Sequence, residues 1–392
     1  MQTAVKMPSE MSLGQDSFRR KKLAVLSDTY FLATALIVVL FGLLMVYSTT
    51  TLVAEEKLGD GLYYVKRQGM AAVVGLALLW LGANLNFHKI KAISKYLLPV
   101  SAVLLLLVFI PGIGLKGGGA LRWVGLGPIR FQPVELVKIF MVLFLSGYIA
   151  RNSEHLAEFK RGLLVPLSSF ALIWALLLAQ PDFGSSAVLG IIAISLIFCC
   201  GGSIKLLGAG ALGLGLLGAS LIVVSPYRMK RIFAFLDPFK DSSGQGYQLI
   251  QSLIAIGNGG TTGVGIGESQ QKLFFLPAAH NDFIFAVIGE ELGFVGCVVL
   301  LALFCFLLYR GLLIAKRLAS NTFYFAASLG LTMLLTLPAF LNMGVALGLL
   351  PTKGLALPLV SYGGSSLMAS LFVVGLLLSL NRTAERLESQ ER

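Results

Sequence analysis

The chain has 392 residues, of which 56% are hydrophobic and 13% charged, with a mean hydropathy of +0.84. Such values lie far outside the range of soluble globular domains and point to a polytopic membrane protein. In a soluble chain the net charge of +12 would suggest a nucleic-acid partner, but no basic helix with interleaved aromatics occurs here, so the cations are sorted by membrane side instead.

Crossing roughly 30 Å of hydrocarbon takes about 20 helical residues. Ten apolar runs meet that need: Tyr30 to Ser48, Met70 to Leu85, Tyr96 to Gly112, Pro133 to Ala150, Leu164 to Gln180, Ser185 to Cys200, Ile204 to Val224, Phe283 to Tyr309, Phe323 to Met343 and Leu357 to Leu380. The first follows "FRRKK", but it is too long for a signal peptide and lacks a small-residue cleavage site, so it reads as a retained anchor. An all-α membrane domain is therefore predicted over residues 29–381, between a cytoplasmic N-terminal tail (1–28) and a cytoplasmic C-terminal tail (382–392). Basic residues in short loops set this orientation, from Arg19 to Lys22, through Lys89, Lys91 and Lys95, then Arg151, Lys160 and Arg161, to Arg310, Lys316 and Arg317. Lys116, Arg122, Arg130, Arg228, Lys230, Arg231, Lys240, Lys272 and Lys353 fall on the opposite side. Outward cations of this kind are what an anionic ligand would require, although any one of them also reads as ordinary solvated loop charge.

The longest polar stretch, 225–281, joins the seventh and eighth segments on the outer side. It holds a short amphipathic helix over Tyr247 to Ile256 and a glycine-rich turn. An ordered function is expected of a loop that long. "GIGLKG" at 112–117 matches G-x-G-x-x-G but neither follows a strand nor opens a nucleotide-binding helix. "GNGGTTGVGIG" lacks a P-loop ending and reads as a flexible turn whose amides could help hold phosphate. "GAGALGLGLLG" in the seventh segment reads as close helix packing through small residues. Cys199, Cys200, Cys297 and Cys305 lie in apolar runs without CxxC spacing and read as buried small hydrophobes.

Ionisable residues within or beside apolar segments are costly and are therefore functional candidates. Glu135 and Lys138 share a helical face and can neutralise each other, either fixing helix geometry or shaping a polar cavity. Asp182 in "QPDFGSS" is placed to cap the next helix. Arg122 and Trp123 put a cation and an amphipathic ring at the outer interface, where Trp often only anchors and Arg could hold a phosphate bidentately. Asp282 in "LPAAHNDFIFAVIGEELG" has only His280 nearby in sequence to neutralise it. It reads either as a helix cap, a role Asn281 could also fill, or as a partly desolvated carboxylate able to accept a proton near neutrality. Glu290 and Glu291, two turns deeper, read as partners of a basic residue on another helix or as part of an ion pathway.

These motifs resemble the SEDS family (shape, elongation, division and sporulation). The resemblance covers Asp28 to about Arg382 and rests on "ALRWVGLGPIRFQPVELVKI", "QPDFGSS", "YRMKRIFAFLDPFKD", "GQGYQLIQSLIAIGNGG", "LPAAHNDFIFAVIGEELGFVG" and "NMGVALGLLPTKGLALPLVSYGGSSL", in that order. "YRMKRIFAFLDP" and "LPTKGLALPLVSYGGSS" look more like the division branch, FtsW, than the elongation branch, RodA.

The resemblance implies a peptidoglycan glycosyltransferase that polymerises lipid II at the outer face of the bacterial cytoplasmic membrane, at the division septum. The family's essential aspartate falls on Asp282, its paired Glu and Lys on Glu135 and Lys138, its outer Arg-Trp on Arg122 and Trp123, and its Q-P-D aspartate on Asp182. This chain departs from the family's pattern at Ala278, Asn281 and Leu121, where Glu, Thr and a second basic residue are usual. Asp282 is then the expected general base. Arg122, Trp123, Arg228, Lys353, Ser361 and His280 are the substrate or diphosphate candidates, and Glu135, Lys138, Asp182 and Glu290 are expected to shape the cavity. A divalent cation, Mg or Mn, would suit the diphosphate, though no ligand cluster in the sequence marks a site for it. The implied partners are a class B penicillin-binding protein and divisome activators. Two rival readings are a lipid II flippase, which lacks the expected paired broken helices, and a non-catalytic divisome scaffold, which leaves Asp282 without a purpose.

Overall fold

The computed structural model describes residues 28–390, apart from 118–119, 127–128, 224–225, 242–243, 245, 273–275, 277–278 and 353. Of the predicted N-terminal tail, only Asp28 is among them. The side chains at 126, 129, 214, 217, 221–222, 226–228 and 241 are likewise outside the description.

Each of the ten predicted segments is helical. In chain order they are α1 (Thr29–Leu58), α2 (Tyr63–Asn84), α3 (Phe87–Phe109), α4 (Pro133–Arg151), α5 (Phe159–Ala179), α6 (Phe183–Cys199) and α7 (Ile204–Val223). Two shorter helices follow in the outer loop, α8 (Pro226–Leu236) and α9 (Tyr247–Gly259). The bundle then resumes with α10 (Ile284–Arg317), α11 (Thr322–Ala346) and α12 (Gly364–Gln390). Among the described residues seven helices, namely α1, α3, α4, α5, α10, α11 and α12, are long and apolar enough to cross a membrane. The chain is a multi-pass membrane protein.

Several boundaries differ from the sequence reading for identifiable reasons. α1 runs on past Ser48 because the hydroxyls of Thr49, Thr50 and Thr51 bond to carbonyls one turn back, so polar residues continue the helix. It stops at Gly59, which takes φ 67 and returns its N–H to Glu55. α12 starts at Gly364 rather than Leu357, since Pro358 and Leu359, the latter at φ 65, turn the chain away from helix. At its far end α12 continues through the predicted tail to Gln390.

The bundle also carries one small sheet that the helical pattern hid. Strands β1 (Gly114–Gly117), β2 (Ala120–Leu126) and β3 (Ile129–Phe131) form an antiparallel β1-β2-β3 sheet between α3 and α4. Its strands are short and glycine-rich, and they present no extended alternation to read.

α11 is the centre of the bundle, packed against α10, α4, α6 and α12, with Phe323, Leu331 and Ala339 fully buried. α2 and α12 pack closely along their length, and a Cβ at Gly375 would lie 2.1 Å from the Leu79 carbonyl. Of the α7 glycines predicted to do this job only Gly210 does, since a Cβ there would lie 2.6 Å from the Leu163 side chain of α5, whereas at Gly208, Gly213, Gly215 or Gly218 it would meet nothing within 4 Å. The other four glycines face away from α5 and admit no neighbouring helix. The cysteines are free, and Cys199 and Cys305 sit on the exposed surface of their apolar helices rather than inside.

Successive helices alternate in direction. At one pole Arg310 binds Asp28 at 2.7 Å and Arg317 binds Glu388 at 2.7 Å, joining α1, α10 and α12. The other pole gathers the N-termini of α2, α4, α6, α10 and α12, whose partial positive charges favour an anion.

Candidate active site

At that second pole a cavity of about 800 Å³ opens between the sheet, α2, α4 and α12 and the turns that precede α6, α10 and α12. Its wall includes Arg67, Lys116, Arg122, Trp123, Arg130, Glu135, Lys138, Asp182, Asn281 and Asp282. Residues far apart in sequence thus share one chamber in which the cations outnumber the acids.

Asp282 is half-buried in the turn before α10. Among the described residues no hydrogen bond or ion pair engages its carboxylate. Burial pushes the carboxyl up to about 6, against the opposing pull of Arg231 and then of Arg122. Gly354 stands so close that a Cβ there would lie 3.2 Å from Asp282 Oδ2. The carboxylate is therefore desolvated, flanked by cations and open to the cavity, as a general base requires.

The remaining acids differ from it by having partners. Glu135 and Lys138 form an ion pair at 3.0 Å on the cavity wall, so geometry-fixing and cavity-shaping are the same contact. Asp182 caps α6, its Oδ1 accepting from Ser185 N at 3.0 Å and its Oδ2 from Ser185 Oγ at 2.8 Å.

The cationic candidates separate in the same way. Arg122 lines the cavity, but Nε donates to Gln180 O at 2.9 Å and Nη2 donates to Pro181 O, so that edge of its fork is not available for bidentate phosphate. Its charge still reaches Asp282. The Trp123 ring lies across Gly117, tying β2 to β1 at the mouth of the cavity. Lys116 pairs in register with Leu121, so it supplies a cation beside Arg122 where Leu121 cannot. Arg228 lies on α8 with its side chain outside the description, and Lys353 and Ala278 are outside the described residues altogether.

Three candidates sit elsewhere than predicted. His280 packs between Tyr64 and Tyr362, with ring centroids at 5.4 and 5.7 Å, and burial, helped by the Lys57 charge, lowers its pKa. Both effects disfavour its charged form, so it is a poor cation for a diphosphate. Ser361 is buried behind the wall, donating to Asn281 O at 2.6 Å while accepting from Leu357 N at 2.8 Å. Glu290 does not line the cavity. It accepts from Gln270 N at 3.2 Å and Gln271 N at 3.4 Å and from the Ser269 hydroxyl, while Glu291 binds Lys272 at 3.0 Å and Ser48 at 2.6 Å. Lys272, expected to face outward, is buried in this pair. The glycine-rich turn beside it is structural too: α10 breaks at Gly293 (φ 66), and the break is filled by bonds from Val264 N to Glu290 O and from Phe294 N to Gly260 O.

Gln68 and Asn342 were missed. The Gln68 amide holds Ser361 O at 3.0 Å and Gly363 N at 3.1 Å, and Asn342 bonds Asp282 O at 2.8 Å. Their signal was present as a buried amide in each of two apolar helices. Among the described residues no three His, Cys, Asp or Glu side chains gather as metal ligands.

The family profile for cell cycle proteins of the FtsW, RodA and SpoVE type matches residues 28–386. The chain belongs to that family. It is 41% identical over 355 residues to a probable peptidoglycan glycosyltransferase FtsW of Geobacter metallireducens, covering 90% of this chain and 94% of that protein. It is 45% identical to the counterpart of the same description in Alkalilimnicola ehrlichii, covering 90% of this chain and 88% of the relative. Among solved structures it is similar to a chain of a peptidoglycan synthase complex that coordinates polymerization and crosslinking, with TM-score 0.74 and 32% identity over 91% of this chain and 98% of that one. The rod shape determining protein RodA of Thermus thermophilus aligns with TM-score 0.65 and 28% identity, over 91% and 96% of the two chains.

Proposed function

We propose that this chain is a peptidoglycan glycosyltransferase that polymerises lipid II into glycan strands during septal cell-wall synthesis, with Asp282 as general base. The observation that carries the reading is a desolvated carboxylate, unpartnered among the described residues, on the wall of a cation-lined cavity. Asp282 takes the proton from the 4-hydroxyl of the acceptor's N-acetylglucosamine. That oxygen attacks the anomeric carbon of the donor muramyl unit, and the bond to undecaprenyl diphosphate breaks. The diphosphate leaves with the bonding electron pair, so no strong general acid is needed.

A base of this kind contributes about 10²- to 10⁴-fold. Positioning and cations at the departing charge supply the rest. Arg67, Lys116 and Arg130 are the cations that the cavity wall offers for that task, with Arg122 acting through its charge from a fixed position and Arg231 through its charge on Asp282. A divalent ion at the diphosphate would add Lewis-acid stabilisation of the leaving group. Besides Asp282 the wall carries Asp182, already engaged as a cap, and Glu135, already paired with Lys138. The active site faces outward from the bacterial cytoplasmic membrane at the septum. The partners are a class B penicillin-binding protein, as transpeptidase, and the divisome activators.

Polymerisation of labelled lipid II by the purified protein with its transpeptidase partner tests this reading. Wild type is expected to make glycan strands and Asp282→Asn to lose them by at least about 10²-fold. Glycan synthesis retained in Asp282→Asn would remove the base assignment. Lipid II translocation across liposomes without polymerisation would replace the enzyme with a transporter.

A further inference from the structure

Three consecutive peptide carbonyls of the turn that carries the base are each held by a different donor. His280 O accepts from Tyr362 N at 2.9 Å, Asn281 O from Ser361 Oγ at 2.6 Å, and Asp282 O from Asn342 Nδ2 at 2.8 Å. The first two donors are neighbours in one turn. The third comes from the last part of α11, where Asn342 is 1% exposed between Leu341 and Met343.

The amide of Asn342 has a second attachment, since Nδ2 also donates to Leu355 O at 2.6 Å. One buried group therefore spans the Asp282 turn and the 354–355 segment that stands against the carboxylate. Both N–H bonds are used, while Oδ1 has no partner among the described residues. Burying an amide in an apolar helix is costly unless it is bonded. An arrangement that satisfies the donors and leaves the acceptor bare is built for holding carbonyls.

We infer that Asn342 is a positioning residue for the transfer reaction: by fixing the Asp282 turn to the 354–355 segment, it holds the carboxylate in its desolvated place beside the acceptor hydroxyl. This rests on the reading of Asp282 as the base. Without the two donors the turn relaxes, and a displacement of about 1 Å can cost about 10²-fold in rate. Water then reaches the carboxylate, and its titration moves back toward the ordinary carboxylate range. The charges that face it, Arg231 from α8 and Arg122 from β2, are untouched by the change.

The test is Asn342→Leu, close in size and without donors, assayed for lipid II polymerisation across pH beside wild type and Asp282→Asn. The expected result is a kcat about 10- to 100-fold lower, a KM within about twofold, and an acid limb displaced downward by about half a unit or more. A wild-type kcat, or a lowered kcat with the limb unmoved, overturns the inference. If the leucine variant does not fold, Asn342→Ala removes the same donors without added volume and is read by the same criteria. Activity in Asp282→Asn brings down the base assignment itself. An inactive Asp282→Asn beside a wild-type-like Asn342→Leu brings down the positioning role alone.

Discussion

Two groups of carboxylates occupy the start of α10, and they are opposites. Glu290 and Glu291 are each 1% exposed and fully compensated, the first by a hydroxyl and two backbone amides, the second by Lys272 and Ser48. Asp282, two turns before them, is less buried but has no partner for its carboxylate among the described residues. The deeper charges hold the outer loop against a broken helix, whereas the shallower one carries a desolvation cost that protonation relieves. Depth of burial does not, then, separate the acid proposed as the base from the structural ones. Compensation does.

That contrast can be broken from either side. The largest stability effect is expected at the compensated pair, where Lys272→Met leaves Glu291 buried against Ser48 alone and costs about 3–5 kcal/mol. Replacing both partners, with Lys272→Met and Glu291→Leu together, is expected to restore most of the loss, as thermal unfolding in detergent can show.

Asp282→Asn should act in the reverse sense. The folded carboxyl titrates at about 6 against 3.8 for an unperturbed one. Its favourable contribution is complete only below the lower value and is lost as pH rises through the upper. Asparagine is therefore expected to stabilise the protein at pH 7 by about 1–3 kcal/mol, with the advantage fading between pH 6 and 3.8. Equal unfolding temperatures at pH 7 would mean that the carboxylate is not desolvated.

Smaller effects sharpen the picture at the edges of the cavity. Asp182→Ala removes the cap of α6 and should cost about 1 kcal/mol, measured by the same unfolding assay. Arg122→Gln withdraws a charge that favours ionised Asp282, so the acid limb of the rate profile should rise by about half a unit.

Most of the fold was legible because ten long apolar runs in a row leave a chain few alternatives. The sheet was not, since strands this short carry no pattern, and neither was the start of α12, where Leu357 to Val360 are apolar because they are buried behind the site and not because they meet lipid. Within the site, Asp282, Glu135, Lys138, Asp182, Arg122 and Trp123 stood out as charge or amphipathic rings at apolar segment ends, and the cavity gathers all six. Glu290 and Lys272 carried the same signal and belong to a different cluster, because sequence reports that a charge is buried but not what compensates it. Gln68 and Asn342 were overlooked because an amide is a fainter anomaly than a charge, and their partners are backbone groups that no side-chain motif reveals.

The central claim is that the carboxylate at position 282, unpartnered among the described residues, takes the acceptor's proton. Its most direct test is the pH dependence of the polymerisation rate of the wild-type protein with its partner, with Asp282→Asn as reference. The predicted profile falls about tenfold per pH unit below an apparent pKa near 6, while the reference shows only a low rate without that limb. A wild-type rate that is flat from pH 7 to 4.5, or the same limb in Asp282→Asn, would contradict it.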